Sequence, residues 1–176
     1  MIMRPGQQLL LPANPLFIWS SLLVALLLDM LLGMLMPARA AWVPDIVALI
    51  IVFWTVHQPL RVGIGVAFVL GLVLDVHQSS LLGQHALAYT AISYLGITIH
   101  RRLLWYSVPS QALQVLPIFA AAHAIAMLVR LVAGDGLPGW GVLLAPFLEA
   151  LLWPVISVLL LAPQRRAPDP DANRPL

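Results

Sequence analysis

The sequence contains no cysteine and no lysine, and it has few charged residues of any kind. Without cysteine the chain forms no disulfide, has no thiol nucleophile and offers no zinc–thiolate site. Charged residues make up 9% of its 176 residues, whereas about 25% is usual in soluble domains. A soluble domain of this size could not cover its surface with so few charges. The composition therefore excludes a soluble globular protein.

Apolar residues take the place of the missing charges. They account for 61% of the chain, against about 45–50% in soluble domains. The mean hydropathy is +0.96. This composition predicts an all-α integral membrane protein.

Six apolar segments are candidates for membrane-spanning helices, which need about 20 mostly apolar residues each. They are residues 16–36, 42–56, 61–77, 85–99, 110–133 and 140–162. Several are near or below the lower length limit, so we expect tilting, local thinning of the bilayer or a re-entrant segment at 76–84. We expect a single transmembrane helical domain over residues 1–162. The proline-rich tail at 163–176 lacks apolar periodicity and is predicted to be a disordered cytoplasmic segment.

Arginine placement predicts the orientation in the membrane, since cytoplasmic loops carry an excess of basic residues. With the N-terminus inside, seven arginines are cytoplasmic: Arg4, Arg61, Arg101, Arg102, Arg165, Arg166 and Arg174. Only Arg39 and Arg130 are then on or near the outer side. The pattern favours six helices with both chain ends in the cytoplasm. Because the basic residues are dispersed, it does not indicate a nucleic-acid partner.

Four ionisable residues are predicted to lie at membrane depth: Asp29, His123, Arg130 and Glu149. Such groups cost about 2.5–3.5 kcal/mol near a helix centre, so they point to an internal partner or to function. We predict that Arg130 meets Asp29 or Glu149, with His123 two turns away on the same helix face. A structural ion pair is one interpretation. A proton relay through Asp29, His123 and Glu149, as in a transporter, is the alternative.

The third predicted helix carries a ridge of residues spaced by four: Gly63, Ala67, Gly71 and Asp75. Three of these residues are small, which allows another helix backbone to approach closely. The ridge therefore indicates either packing within the chain or a dock for a helix of another protein. Asp45 follows Pro44 at the start of the second helix, where a carboxylate favours the positive end of the helix dipole. Contact with a partner at the outer face is the other interpretation of Asp45.

No motif indicates catalysis. The chain has no P-loop, dinucleotide fingerprint, HExxH or GxSxG pattern. The spacing of Asp75, His77 and His85 matches no metal motif. We therefore expect a non-enzymatic protein without cofactor or metal.

Three stretches resemble the MreD family of rod shape-determining membrane proteins. They are WVPD at residues 42–45, FWTVHQPLRVG at 53–63 and GLVLDVHQSSLLGQHAL at 71–87. The most specific part is the spacing of Gly71, Asp75 and Gly83, and the resemblance extends over nearly the whole chain. Asp29 departs from it, because an uncharged residue is expected there.

The resemblance implies a multi-pass protein of the bacterial inner membrane that belongs to the cell-elongation machinery. Its direct partner would be MreC, a protein with one membrane helix and a periplasmic domain. MreC would connect it to MreB filaments, to the glycosyltransferase RodA and to the elongation transpeptidase. The implied fold is similar to the six-helix substrate-binding components of energy-coupling-factor transporters, which does not by itself imply ligand binding.

Our leading hypothesis is a membrane scaffold that binds MreC and helps to organise peptidoglycan synthesis and rod shape. In this hypothesis the MreC helix lies on the ridge of Gly63, Ala67, Gly71 and Asp75, with Asp45 and Gly83 shaping the outer end. The rival hypothesis is a small-molecule or ion transporter, or a ligand-binding subunit of one. It predicts a polar cavity between the helices.

Overall fold

The computed structural model describes residues 13–35, 42–134, 136 and 139–164. These residues form no strand and six α-helices: α1 (Pro15–Leu35), α2 (Ile46–His57), α3 (Ile64–His77), α4 (Gln84–Leu103), α5 (Val108–Val132) and α6 (Ala145–Leu161). Two short 3-10 helices, Trp140–Leu143 and Ala162–Gln164, flank α6. The all-helical prediction is confirmed, and each predicted span overlaps one helix. Nearly all of the predicted tail, from residue 165 onward, lies outside the described residues.

The helices differ in whether they can cross a membrane alone. By length and composition, α1, α5 and the segment Trp140–Gln164 around α6 are long and apolar enough. The α2 and α3 helices have 12 and 14 residues, which at about 1.5 Å per residue give roughly 18 and 21 Å. A bilayer core is about 30 Å thick. These two helices therefore depend on their surroundings for a place in the membrane.

The short α2 helix forms the centre of the bundle. Every residue from Val47 to Val56 is buried, as expected for a helix that is apolar on all sides. It packs against α1, α4 and α6. Its aromatic residues Phe53 and Trp54 are fully buried, and Trp54 Nε1 donates to Ser21 Oγ on α1 at 2.8 Å. The helix is thus shielded by protein along its whole length.

The more polar α4 helix lies between α2, α3 and α5. Its close approach to α2 depends on Gly96, because a Cβ there would lie 2.6 Å from Thr55 Oγ1.

Besides the Trp54–Ser21 hydrogen bond, a buried polar contact lies between α5 and α6, where Trp153 Nε1 donates to Gln111 Oε1 at 3.1 Å. Polar groups inside a membrane bundle need such internal partners.

Alternation of the helices gives the bundle two different ends. One end is formed by the α2–α3 and α4–α5 connections. We call it the arginine end, because it contains Arg61 and, in the last turn of α4, Arg101 and Arg102. The connections α1–α2, α3–α4 and α5–α6 form the opposite end. We call it the cavity end, because a cavity opens there.

Candidate functional site

The small-residue ridge of α3 faces α4 of the same chain. A Cβ on Gly71 would lie 2.4 Å from Ala86 Cα, and Ala67 is fully buried. Gly63 precedes the helix as its N-cap. A foreign helix cannot reach Gly71 while α4 occupies this place. At Gly71 and Ala67 the structure therefore favours the alternative interpretation, packing within the chain, whereas contact of Gly63, Asp45 or Gly83 with a partner stays a prediction.

Asp75, at the end of this ridge, holds the start of α4. Its carboxylate accepts hydrogen bonds from the backbone N–H groups of Gly83, His85 and Ala86, at 2.8, 2.8 and 3.3 Å. It also accepts from Ser80 Oγ at 2.9 Å and contacts His85 Nδ1 at 2.8 Å. Because the first N–H groups of a helix lack intrahelical partners, Asp75 supplies what α4 needs.

Gly83 is the N-cap of α4 and has φ of +102°. This left-handed conformation favours glycine, which has no Cβ to clash. The turn brings the backbone of Gly83 onto the Asp75 carboxylate. The Gly–Asp–Gly spacing noted in the sequence therefore corresponds to one local structure, in which α3 contacts α4 at Gly71 and caps it through Asp75.

Asp45 caps α2 and joins three helices. Its Oδ1 accepts from Ala48 N at 2.9 Å, as an N-cap carboxylate does. Its Oδ2 accepts from the Tyr89 hydroxyl on α4, and its own N–H donates to Glu149 Oε1 on α6 at 2.9 Å. The predicted dipole role is thus combined with contacts to α4 and α6. The helix starts at Ile46, so the preceding residues of the predicted span are not helical.

Glu149 is fully buried and also contacts α5. Its Oε1 lies 2.8 Å from His123 Nε2. Its Oε2 has no hydrogen-bond partner among the described residues. A buried unsatisfied acceptor costs about 1–3 kcal/mol, more when it is charged. This oxygen therefore requires an explanation beyond packing.

Asp29 and Arg130 lie at the same end of the bundle. Asp29 is fully buried and accepts from Gln78 Nε2 at 3.2 Å. Arg130 is on α5, beyond His123, and lines the cavity. Pairing of Arg130 with Asp29 or with Glu149 stays a prediction.

The cavity has a volume of about 1020 Å³ and opens between the α1–α2, α3–α4 and α5–α6 connections. Its polar wall includes Asp45, Gln78, Gln84, His85, Tyr89 and His123. Trp42, Met127 and Val142 belong to its apolar wall. The polar cavity expected under the rival hypothesis is present, and it lies beside Glu149.

Sequence reasoning did not place Gln78, Gln84 and Tyr89 in a site. Gln78 and Gln84 flank the α3–α4 connection, and Tyr89 is one turn into α4. The only local signal was the polarity of residues 78–84 between two apolar segments. An ordinary loop has the same polarity, so this signal did not predict a cavity. The cavity forms where five segments of the chain meet.

A family model described as "rod shape-determining protein MreD" matches residues 13–162 of this chain. The "Rod shape-determining protein MreD" of Haemophilus influenzae is 30% identical over 126 residues, which cover 69% of this chain and 73% of that protein. No solved structure matches the chain. The matched region contains all six α-helices and every residue that lines the cavity. This chain therefore belongs to the MreD family of rod shape-determining proteins.

Proposed function

We propose that this protein is a non-enzymatic scaffold of the bacterial cell-elongation complex. Membership of the MreD family supports a role in cell shape, and the family is not a known enzyme family. Its apolar helices indicate a membrane protein. The proposal adds that the protein spans the inner membrane six times, binds MreC and helps to organise peptidoglycan synthesis. RodA, the elongation transpeptidase and MreB would belong to the same complex.

The proposed MreC contact is the lipid-facing side of α3, opposite the ridge on α4. Phe68, Val69, Val73 and Val76 are 40–69% exposed on this side. The α3 helix is about 9 Å shorter than a bilayer core and, unlike the short α2, it is not surrounded by protein. Association with another helix is one way to relieve such a mismatch. We infer that the membrane helix of MreC covers this place, since a spanning helix is apolar and about as long as the bilayer core is thick.

Site-specific photo-crosslinking tests this contact. A photo-reactive amino acid at Phe68 or Val73 should give a covalent product with MreC in living cells. Leu151 and Leu159 on α6 are matched controls, since they are 71% and 62% exposed and α6 does not border α3. A product with MreC at the α6 positions and none at the α3 positions would contradict the proposed surface.

The proposed orientation places the arginine end in the cytoplasm, because basic residues remain on that side. The absence of cysteine makes a direct test possible. Single variants Ser79→Cys, at the cavity end, and Trp105→Cys, after α4, place a thiol at exposed positions on opposite ends. A membrane-impermeant maleimide should label the Ser79→Cys variant in intact cells and the Trp105→Cys variant only after lysis. Labelling in the reverse order would overturn the orientation.

The rival function, a transporter or its ligand-binding subunit, is favoured by one observation, the polar cavity beside Glu149. Affinity purification in mild detergent from the native host separates the two functions. Recovery of MreC with cell-wall synthases supports the scaffold. Recovery of an ATPase pair with a coupling protein, and no MreC, would establish the rival.

A further inference from the structure

The cavity has a repeated construction in its polar wall: a lining side chain faces a buried or part-buried carboxylate. The four pairs are Gln78 with Asp29, His85 with Asp75, Tyr89 with Asp45, and His123 with Glu149. Each pair joins two different helices, or a helix and a connection between helices. The carboxylates thus lie behind or within the wall, and their hydrogen bonds hold the lining side chains in place.

This construction determines which atoms the wall offers. A carboxylate accepts hydrogen bonds and does not donate them, so the Gln78 amide nitrogen and His85 Nδ1 direct their hydrogens at Asp29 and Asp75. The other polar atoms of these two side chains, Gln78 Oε1 and His85 Nε2, are then acceptors. A cavity wall of this kind favours a ligand rich in hydrogen-bond donors.

Two further polar groups have no partner within the described part of the chain. Glu149 Oε2 is buried without a hydrogen bond, directly beside the lining residues Asp45 and His123 that hold Oε1. The Gln84 side chain lines the cavity, has no side-chain hydrogen bond to another described residue, and the residue is only 8% exposed. Both groups lie in or next to the polar wall. A ligand that donates to Glu149 Oε2 would remove the cost of leaving this buried acceptor unsatisfied, and the Gln84 amide oxygen is a further acceptor on the wall.

Acidic groups outnumber arginines around the cavity. Four carboxyl groups, those of Asp29, Asp45, Asp75 and Glu149, lie in or behind the wall, and Arg130 is the arginine among the described lining residues. Arg130 is seven residues beyond His123, about 10 Å further along α5. Two helix N-termini that could attract an anion are already capped, α2 by Asp45 and α4 by Asp75, whereas the 3-10 helix before α6 has no side-chain cap. The interior therefore favours a cation over an anion.

We propose that this cavity is a binding site for a small molecule that carries a primary ammonium group. The ammonium has three donors and no acceptor, which matches the acceptors Glu149 Oε2 and Gln78 Oε1. The volume of about 1020 Å³ is at the upper end of the range for small-molecule sites, about 300–1,000 Å³. This site is independent of the scaffold role, which needs only the lipid-facing surface.

Thermal unfolding of the purified full-length protein in mild detergent tests the site, with its six tryptophans as the fluorescent reporter. The probes are propylammonium, tetramethylammonium and propionate as simple salts at equal ionic strength and pH 7. Propylammonium should raise Tm with a saturating dose response. Tetramethylammonium has the same charge but no N–H donor, so it should not. No saturable shift, an equal shift with tetramethylammonium, or a shift with propionate alone would each overturn the proposal.

Two variants locate the binding. Glu149→Gln should weaken propylammonium binding at least about tenfold, since it removes a charged acceptor. Gln84→Leu should weaken it as well, and it keeps the test valid if the first variant does not fold. Ser157→Ala is the control, because Ser157 is also buried and unpartnered on α6 but does not line the cavity. Unchanged binding in both site variants would refute the assignment.

Discussion

The contact between α3 and α4 leaves no room for a side chain at Gly71, and Gly71→Ala is the substitution that tests it. An added Cβ would lie 2.4 Å from Ala86 Cα, 2.5 Å from Ala86 N and 2.7 Å from His85 C. All three are backbone atoms, so no side-chain rotation can make room. The two helices must move apart, and the Asp75 cap on Ala86 N, already 3.3 Å long, would be stretched.

The expected cost follows from these distances. Moving the new Cβ from 2.4 Å to ordinary contact separates the helices locally by about 1 Å, since carbon atoms in contact are about 3.5–4.0 Å apart. Overpacking of a filled interior typically costs about 1–3 kcal/mol. We expect the upper part of this range, because rigid backbone is displaced and a helix cap is weakened as well.

The measurement is the free energy of unfolding in mixed detergent micelles, followed by tryptophan fluorescence. Gly65→Ala is the matched control on the same helix, since a Cβ there meets nothing within 4 Å. It should change the free energy of unfolding by no more than about 0.5 kcal/mol. If Gly71→Ala is as stable as Gly65→Ala, the close α3–α4 contact is wrong, and the ridge becomes available to a partner again.

Three other interactions give predictions of the same kind. Gly96→Ala should destabilise the protein by about 1–3 kcal/mol. Adding Thr55→Ala to this variant should restore part of the lost stability, because the clash is with a side-chain oxygen. If the losses of the two substitutions simply add, the contact is contradicted. Asp75→Asn should cost about 1–3 kcal/mol and speed amide hydrogen exchange in the first turn of α4, whereas unchanged exchange would refute the cap. Trp153→Phe should also cost about 1–3 kcal/mol, since it leaves buried Gln111 Oε1 without its donor. Equal stability to the parent in a thermal unfolding assay would show that this bond is unimportant.

Much of the architecture could be predicted from composition and local pattern. Long apolar segments separated by polar or proline-containing breaks indicated six helices, because a backbone in lipid must satisfy its own hydrogen bonds. A favourable carboxylate near the start of α2 was also accessible, since its interaction with the helix end is local, although the predicted span began at residue 42 and the helix begins at Ile46. The burial of α2 on all sides could not be predicted, because mean hydropathy does not distinguish a lipid-facing helix from one surrounded by protein.

The ridge on α3 shows where local information ends. Spacing by four places Gly71 and Asp75 on one helix face whatever lies opposite. Whether that face meets α4 or a foreign helix depends on which helices pack together. Asp75 also caps α4 through residues 8 to 11 positions later, which required the fold of the α3–α4 connection.

The sequence by itself determined the class of the protein, its helical segments and the family to which it belongs. These properties depend on hydropathy, on local backbone preferences and on short motifs, all of which are written along the chain. Only the tertiary structure decided that Asp45, Tyr89, His123 and Glu149 are joined in one hydrogen-bonded network, since they come from four separate segments and are separated by up to 104 positions. A cavity is the space that packed helices leave unfilled, so no segment of the chain encodes it alone.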